Sequence, residues 1–192
     1  MTDNELITAT LSGDQYAFQT LVERYEPRVA ATVTGMLGHC NETDDVGQEV
    51  FIRFYRSLKD FKGEAGVATY ITRIAINLSL NELKRRQRRS IFSFFSTSTV
   101  EEDSPIKDIP DPKANSEYDD TREVIHKALQ ELDPKFRSVI VLRLLDGYST
   151  QETADILQLP TGTVLSRLAR AQQKLKEILT PYIGAHHELI HS

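Results

Sequence analysis

Apolar positions along this chain recur at helical spacing in a series of segments separated by capping and turn residues. Asn4 to Leu11 reads as a short helix that stops at Ser12-Gly13, where glycine allows a left-handed turn. Asp14 then caps a long helix with Phe18, Leu21, Val22, Tyr25, Val29 and Val33 on one face. Pro27 sits inside that pattern and is expected to kink or split it, and Gly38 to end it. Thr43 is the expected cap of the next helix, with Val46, Val50, Phe51, Phe54 and Leu58 inward. Its other side carries Asp45, Gln48, Glu49, Ile52 and Arg56, a mixture of acids and an exposed aliphatic that suits docking of a basic partner helix as well as plain solvation.

After a glycine-bearing loop from Phe61 to Gly66, one helix spans Thr69 to Arg89. Ile71, Ile74, Ala75 and Leu78 would face a core. Arg73, Asn77, Asn81, Lys84 and Arg88 recur every three or four residues and make a polar, basic stripe on another face. Arginine and lysine suit phosphates, and asparagine amides can pair with base edges. Between about 90 and 121 the periodicity fails in a stretch of serine, threonine, proline and acids, read as a flexible acidic linker. Ile91 to Phe95 is a small apolar knot within it, either a cap on the first domain or an anchor for a partner.

A second helical set follows. Val124, Ile125, Ala128, Leu129 and Leu132 share a face, and Asp133-Pro134 opens a helix with Phe136, Val139, Ile140 and Leu144 inward and Gly147 as its stop. Ser149-Thr150-Gln151-Glu152 is a capping box for a short helix to about Leu157. Gln158-Leu159-Pro160 is a tight turn, and Thr161 opens a last helix through Leu179. A short capped helix, a three-residue turn and a helix starting in small polar residues is the helix-turn-helix spacing. Thr161, Thr163, Ser166, Arg167, Arg170 and Lys174 lie on the side that would approach duplex DNA, the small residues letting phosphate reach free backbone N–H groups.

The expected fold is therefore all-α. Two small helical domains, 1–90 and 122–182, are joined by a linker at 91–121 and followed by a polar tail at 183–192. Composition narrows the function classes. With 192 residues and Cys40 as the one cysteine, the chain has no intramolecular disulfide and no cysteine-cluster metal site. The acidic N-terminus lacks a signal-peptide layout and no apolar run reaches spanning length, so a cytoplasmic protein without membrane insertion is expected. The net charge of -5 is segregated: residues 1–60 hold ten acids against five Lys/Arg, 61–90 hold seven Lys/Arg against two acids, and 99–121 hold eight acids against two lysines. Such blocks point to different partners for different segments. No paired carboxylates, nucleophile–base set or phosphate-cradling loop favours an enzyme, and no cofactor or metal is implied. His186, His187 and His191 fall in the tail, where disorder is expected over metal binding.

Taken together, GDQYAFQTLVERY, DDVGQEVFIRFYRSL, FKGEAGVATYITRIAINLSLNELKRR and LDPKFRSVIVLRLLDGYSTQETADILQLPTGTVLSRLARAQQKL resemble, in order, the segments of a bacterial sigma-70 family sigma factor of the extracytoplasmic-function (ECF) subfamily. The resemblance implies regions 2 and 4 of such a factor, which binds core RNA polymerase and directs promoter recognition, -10 melting and transcription initiation. It implies that Asp45, Gln48, Glu49, Ile52, Arg53 and Arg56 dock on core polymerase, a partner contacted through its β and β′ subunits. Phe61, Lys62 and Gly63 would hold a flipped -10 base beside Tyr70, Asn77 and Asn81, with Arg73, Lys84, Arg85 and Arg86 tracking the DNA backbone. Thr161, Thr163, Ser166, Arg167, Arg170 and Lys174 would contact the -35 duplex. The linker leaves room for an anti-sigma protein between the domains. Two positions depart from the family pattern: Tyr70 stands where tryptophan is usual, and Leu165 where a basic residue is common. The second implies weakened -35 recognition and a DNA-bound recruiter as helper. The competing reading is a helix-turn-helix regulator that never joins polymerase, which leaves the acidic helix and the 61–68 loop without a role.

Overall fold

The computed structural model describes the backbone of residues 1–63, 65–96 and 117–190, and side chains over 1–63, 65–92 and 123–182. Among the described residues there are eight α-helices and no strand: α1 (Asp3–Leu11), α2 (Gln15–Leu37), α3 (Asn41–Ser57), α4 (Val67–Ser96), α5 (Glu117–Glu131), α6 (Pro134–Ile140), α7 (Thr150–Leu157) and α8 (Thr161–Ile190).

The caps follow from residue chemistry. Asp14 accepts from the N–H groups of Tyr16 and Ala17, Asp133 from Lys135 with Pro134 in the first turn, and Ser149 and Glu152 form the reciprocal capping box. Gly13 and Gly147 take φ of 97° and 75°, the left-handed turns that end α1 and the segment after α6. Helices α1 to α4 form the first bundle, around fully buried Leu21, Val33, Met36, Val50, Phe54, Ile71 and Ile76. Helices α5, α6 and α8 bury Leu129, Leu132, Phe136, Ile140 and Ala171, while Val139, Ala154 and Val164 join α6, α7 and α8.

Several elements differ from the sequence reading. Pro27 does not split α2, which is continuous because the turns on both sides are anchored by Leu21, Tyr25, Val29 and Val33 on one buried face. Helix α3 begins at Asn41 after Cys40. Thr43, the expected cap, lies within its first turn and donates to the Gly38 carbonyl at 2.7 Å. Helix α4 continues to Ser96, with Ile91 and Phe92 exposed on it rather than covering the first domain. The rest of the expected linker, residues 97–116, lies outside the described residues. Helix α8 passes Pro181 and extends to Ile190, through most of the expected polar tail; His191 lies outside the described residues.

The largest departure follows α6. Residues Val141–Leu145 form a π-helical turn, which widens the spacing and rotates the positions after it. Val141 and Leu142 therefore point inward, while Leu144, expected inward, is 50% exposed. This turn packs on the first bundle. Val141, Leu142, Tyr148 and Ile156 belong to the same buried cluster as the core of α1 to α4. Gly35 permits the approach, since a Cβ there would stand 3.0 Å from a Val141 methyl. The two helical domains are thus packed against each other.

Candidate functional site

Helix α4 organises the basic face. Its buried side, Ile71, Ala75, Ile76 and Leu78, fixes its rotation on the bundle and leaves Asn77, Asn81, Lys84 and Arg88 exposed along one side. Lys84 and Arg88 make no ion pair among the described residues, so their charge is available to a ligand.

The arginines of the same helix divide differently. Glu82, buried, pairs with Arg85 at 2.7 Å, with Arg86 at 3.4 Å and with Arg89 at 3.2 Å. Arg86 also donates to the Leu37 carbonyl, to Cys40 Sγ at 2.8 Å and to Glu42 at 3.3 Å. Arg86, expected to track a DNA backbone, is instead half-buried and ties α4 to the α2–α3 junction. A helical stripe drawn from spacing alone cannot separate it from Lys84, because Leu37, Cys40 and Glu42 come from outside α4.

The loop before α4 is placed by aromatic packing. The Phe61 ring lies 5.0 Å from that of Tyr70, which is also 6.3 Å from Phe54 in the core. Lys62 and Gly63 are exposed, Gly63 with φ of 73°. Phe61, Lys62, Gly63, Tyr70 and Arg73 line an open cavity of about 650 Å³. Its opposite wall is the helix-turn-helix: Ala154, Asp155, Gln158, Leu159 and Pro160. Arg73, expected on the open stripe, is half-buried and donates to the Asp155 carbonyl at 2.8 Å.

On α3, Asp45, Gln48, Ile52, Arg53 and Arg56 are exposed and Glu49 is half-exposed, pairing with Arg53 at 2.8 Å. Ile52 and Arg56 rim a pit of about 650 Å³ floored by Phe18, Phe51 and Tyr55, with the Phe18 and Tyr55 rings edge to face at 4.8 Å. The sequence reading missed Phe18 and Tyr55 as surface groups. Helical spacing assigns Phe18 to the core, and it does pack on that core beside Phe54, half-buried, with one side left to the pit.

Helix α8 starts at Thr161, after the αL residue Gln158 that ends α7 and the turn to Pro160. Val164 and Ala171 are buried, which turns Thr161, Ser166, Arg170 and Lys174 outward, with Thr163 and Arg167 half-exposed beside them. Leu165 is 55% exposed in that same first turn.

Residues 21–89 match the family described as Sigma-70 region 2, and residues 122–175 match Sigma-70, region 4. The RNA polymerase sigma-H factor of Pseudomonas aeruginosa is 33% identical over 184 residues, covering 94% of this chain and 95% of that protein. The ECF RNA polymerase sigma-E factor of Escherichia coli K12 is 34% identical over 186 residues, covering 95% and 97%. The chain belongs to the ECF sigma factors of the sigma-70 family. This sigma factor is also similar in structure to CnrH, solved in complex with the cytosolic domain of CnrY, at TM-score 0.66 and 25% identity over 93% of this chain and 97% of that one. It shares its fold with the Bartonella quintana sigma factor RpoE, solved with the anti-sigma factor NepR, at TM-score 0.65 and 21% identity over 85% and 96%. Like other sigma factors, it binds core RNA polymerase and promoter DNA to start transcription. Among its described residues no helix is long and apolar enough to cross a membrane.

Proposed function

We propose that the two faces of α4 and α3 divide the work of this sigma factor. The exposed Asn77–Asn81–Lys84–Arg88 line, continuous with the Phe61–Lys62–Gly63–Tyr70 cavity wall, captures and tracks the -10 strand. The α3 surface at Asp45, Gln48, Glu49, Ile52, Arg53 and Arg56, with its aromatic pit, docks on core polymerase. The observation that carries this reading is the rotation of α4: its fully buried Ile71–Ala75–Ile76 side leaves Asn77, Asn81, Lys84 and Arg88 outward and, among the described residues, without an ion pair or hydrogen bond from their side chains. Capture of an unstacked base offsets the few kcal/mol that unstacking costs, and phosphate contacts make the step salt-sensitive. Arg73 joins this face when the helix-turn-helix is withdrawn, whereas Arg86 serves the fold.

Region 4 places the -35 duplex against Thr161, Thr163, Ser166, Arg167, Arg170 and Lys174. Leu165 puts an apolar group where a phosphate or base contact would stand, so a second DNA-bound protein helps to place the factor. The sigma factor works in the cytoplasm, where an anti-sigma protein is a further partner. A groove of about 1030 Å³ between α2 and α5, lined by Thr34, His39, Ile125, His126 and Leu145, spans both domains and suits an apolar segment of such a protein.

The test reconstitutes holoenzyme from purified sigma factor and core polymerase on genomic fragments and maps transcript 5′ ends. Discrete starts sharing -10 and -35 sequences support autonomous recognition. Binding to core without discrete starts supports the need for a recruiter. No binding to core overturns the sigma assignment of these surfaces in favour of a plain DNA-binding regulator.

A further inference from the structure

We propose that His39 and His126, with Glu123 as a third donor, form a binding site for a zinc-class dication in the groove between α2 and α5. His39 lies in the α2–α3 junction, just after Gly38 ends α2, and His126 stands on α5. Their rings meet edge to face, with centres 5.1 Å apart and planes at 65°. His39 is exposed and His126 half-buried, so the pair sits where solvent and ions reach it rather than in a core. Both rings and Glu123 line the same cavity of about 1030 Å³.

The ring spacing is that of two imidazoles on one metal. Zinc stands about 2.0–2.1 Å from a histidine nitrogen, hence about 3.2 Å from the ring centre, and tetrahedral ligands then hold two ring centres about 5 Å apart. Ring packing covers the same distance range, and the third residue favours ligation over packing. Glu123 precedes His126 by three positions, which puts both side chains on one face of α5, and Glu-x-x-His is a spacing by which helices present two ligands to one ion. Among the described residues no three donors already stand in ligating positions, because the Glu123 carboxylate is turned to Lys127 at 2.7 Å. Both members of that ion pair are exposed, so it contributes little and exchanges readily for a cation. The two rings are the placed part of the site, Glu123 completes it by rotation, and water takes the remaining position. Imidazole ligands select zinc and its neighbours over magnesium and calcium, which take oxygen. The bound ion ties the end of α2 to α5 and stabilises the native chain by mass action.

The experiment uses the full-length chain with His186→Ala, His187→Ala and His191→Ala, so that the tail cannot ligate. Of the five histidines, His39 and His126 then remain, and every imidazole signal belongs to one of them. Titration with Zn2+ should move both imidazole C–H resonances together in NMR spectra and raise the urea midpoint, while Mg2+ should do neither. Co2+ should develop visible absorption that Zn2+ displaces. His39→Phe and His126→Phe keep a ring for packing and remove the nitrogens. Each should hold the metal-free urea midpoint, and each should weaken Zn2+ binding by calorimetry roughly tenfold or more. Glu123→Gln should weaken it by a smaller factor. Imidazole resonances that ignore Zn2+, or that respond singly, overturn the proposal without need of any further variant. So do folded phenylalanine variants that bind Zn2+ as their parent does, which would leave the two rings a packing contact only.

Discussion

The hydroxyls of Thr72 and Tyr148 stand 2.7 Å apart, one on the helix that carries the amide and basic stripe, the other in the turn that opens the helix-turn-helix. The two DNA-reading units of the chain are therefore joined through a side chain that neither would need for contact with DNA. Around it, Val141, Leu142 and Ile156 bury apolar surface that separation of the two domains would return to water.

Closure is predicted to strengthen in mild acid through Asp146. Burial raises its pKa above the ordinary 3.8, opposed by the hydrogen bond from Thr32 and the charge of Arg28. In an open chain the carboxyl returns to water and its ordinary value. The closed form therefore holds this proton more tightly: its contribution is complete below 3.8, and is lost as pH rises through the raised value. The geometry agrees, because the Thr32 hydroxyl has one proton and two acceptors in reach, the Arg28 carbonyl at 3.0 Å and Asp146 at 2.8 Å. A protonated Asp146 can itself donate to Thr32 and satisfy both. The urea concentration that parts the two domains should rise as pH falls from about 7 toward 4. Asp146→Asn should flatten that response, and an unchanged response would remove Asp146 from the account.

Arg86→Ala and Lys84→Ala should separate a structural cation from a DNA-binding one two positions away. Losing the ties from Arg86 to the Leu37 carbonyl, Cys40 and Glu42 is expected to destabilise the chain by about 1–3 kcal/mol, seen as a lower urea midpoint. Lys84→Ala should leave the midpoint within about 0.5 kcal/mol of wild type, and should reduce the salt slope of promoter binding by about one. Equal stability of the two variants would show that Arg86 is as free as its helical spacing suggests.

These residues mark what the sequence makes legible. Caps are local, so Asp14, Asp133 and the Ser149–Glu152 box are readable from spacing, and so is the buried Ile71–Ala75–Leu78 side of α4. The resemblance places both domains without any coordinates. Side chains that act across the fold are not readable in the same way. Arg137 is 4% exposed and donates to the carbonyls of Met36, Gln130 and Leu132, the first of them 101 positions away. Burial pushes its pKa down to about 10, so it remains charged at neutral pH while closing the ends of α2 and α5. No periodicity marks an arginine for that role. The π-helical turn at Val141–Leu145 is hidden for a related reason: its five residues fit the helical pattern, and only packing on Gly35 and α2 selects the wider turn.

Leu165→Arg should strengthen recognition of the -35 duplex. Leu165 is 55% exposed near the start of α8, beside Thr161 and Ser166, so little packing is lost. A basic side chain there is expected to add about 1–3 kcal/mol if it reads a base, or a uniform, salt-sensitive gain if it meets phosphate. Electrophoretic shift of the mapped -35 duplex by holoenzyme distinguishes the two. No gain on either would mean that the helix approaches DNA by another side.

In the proposed division of labour, the exposed amide and basic side of α4 opens the -10 element. A holoenzyme carrying Asn77→Ala and Asn81→Ala, assembled on the mapped promoter with 2-aminopurine in its -10 non-template strand, tests this most directly. Core binding and -35 contact should persist while the fluorescence rise of strand opening falls at least tenfold, since each lost base contact costs about 1–3 kcal/mol. Opening at the wild-type rate and extent would contradict it.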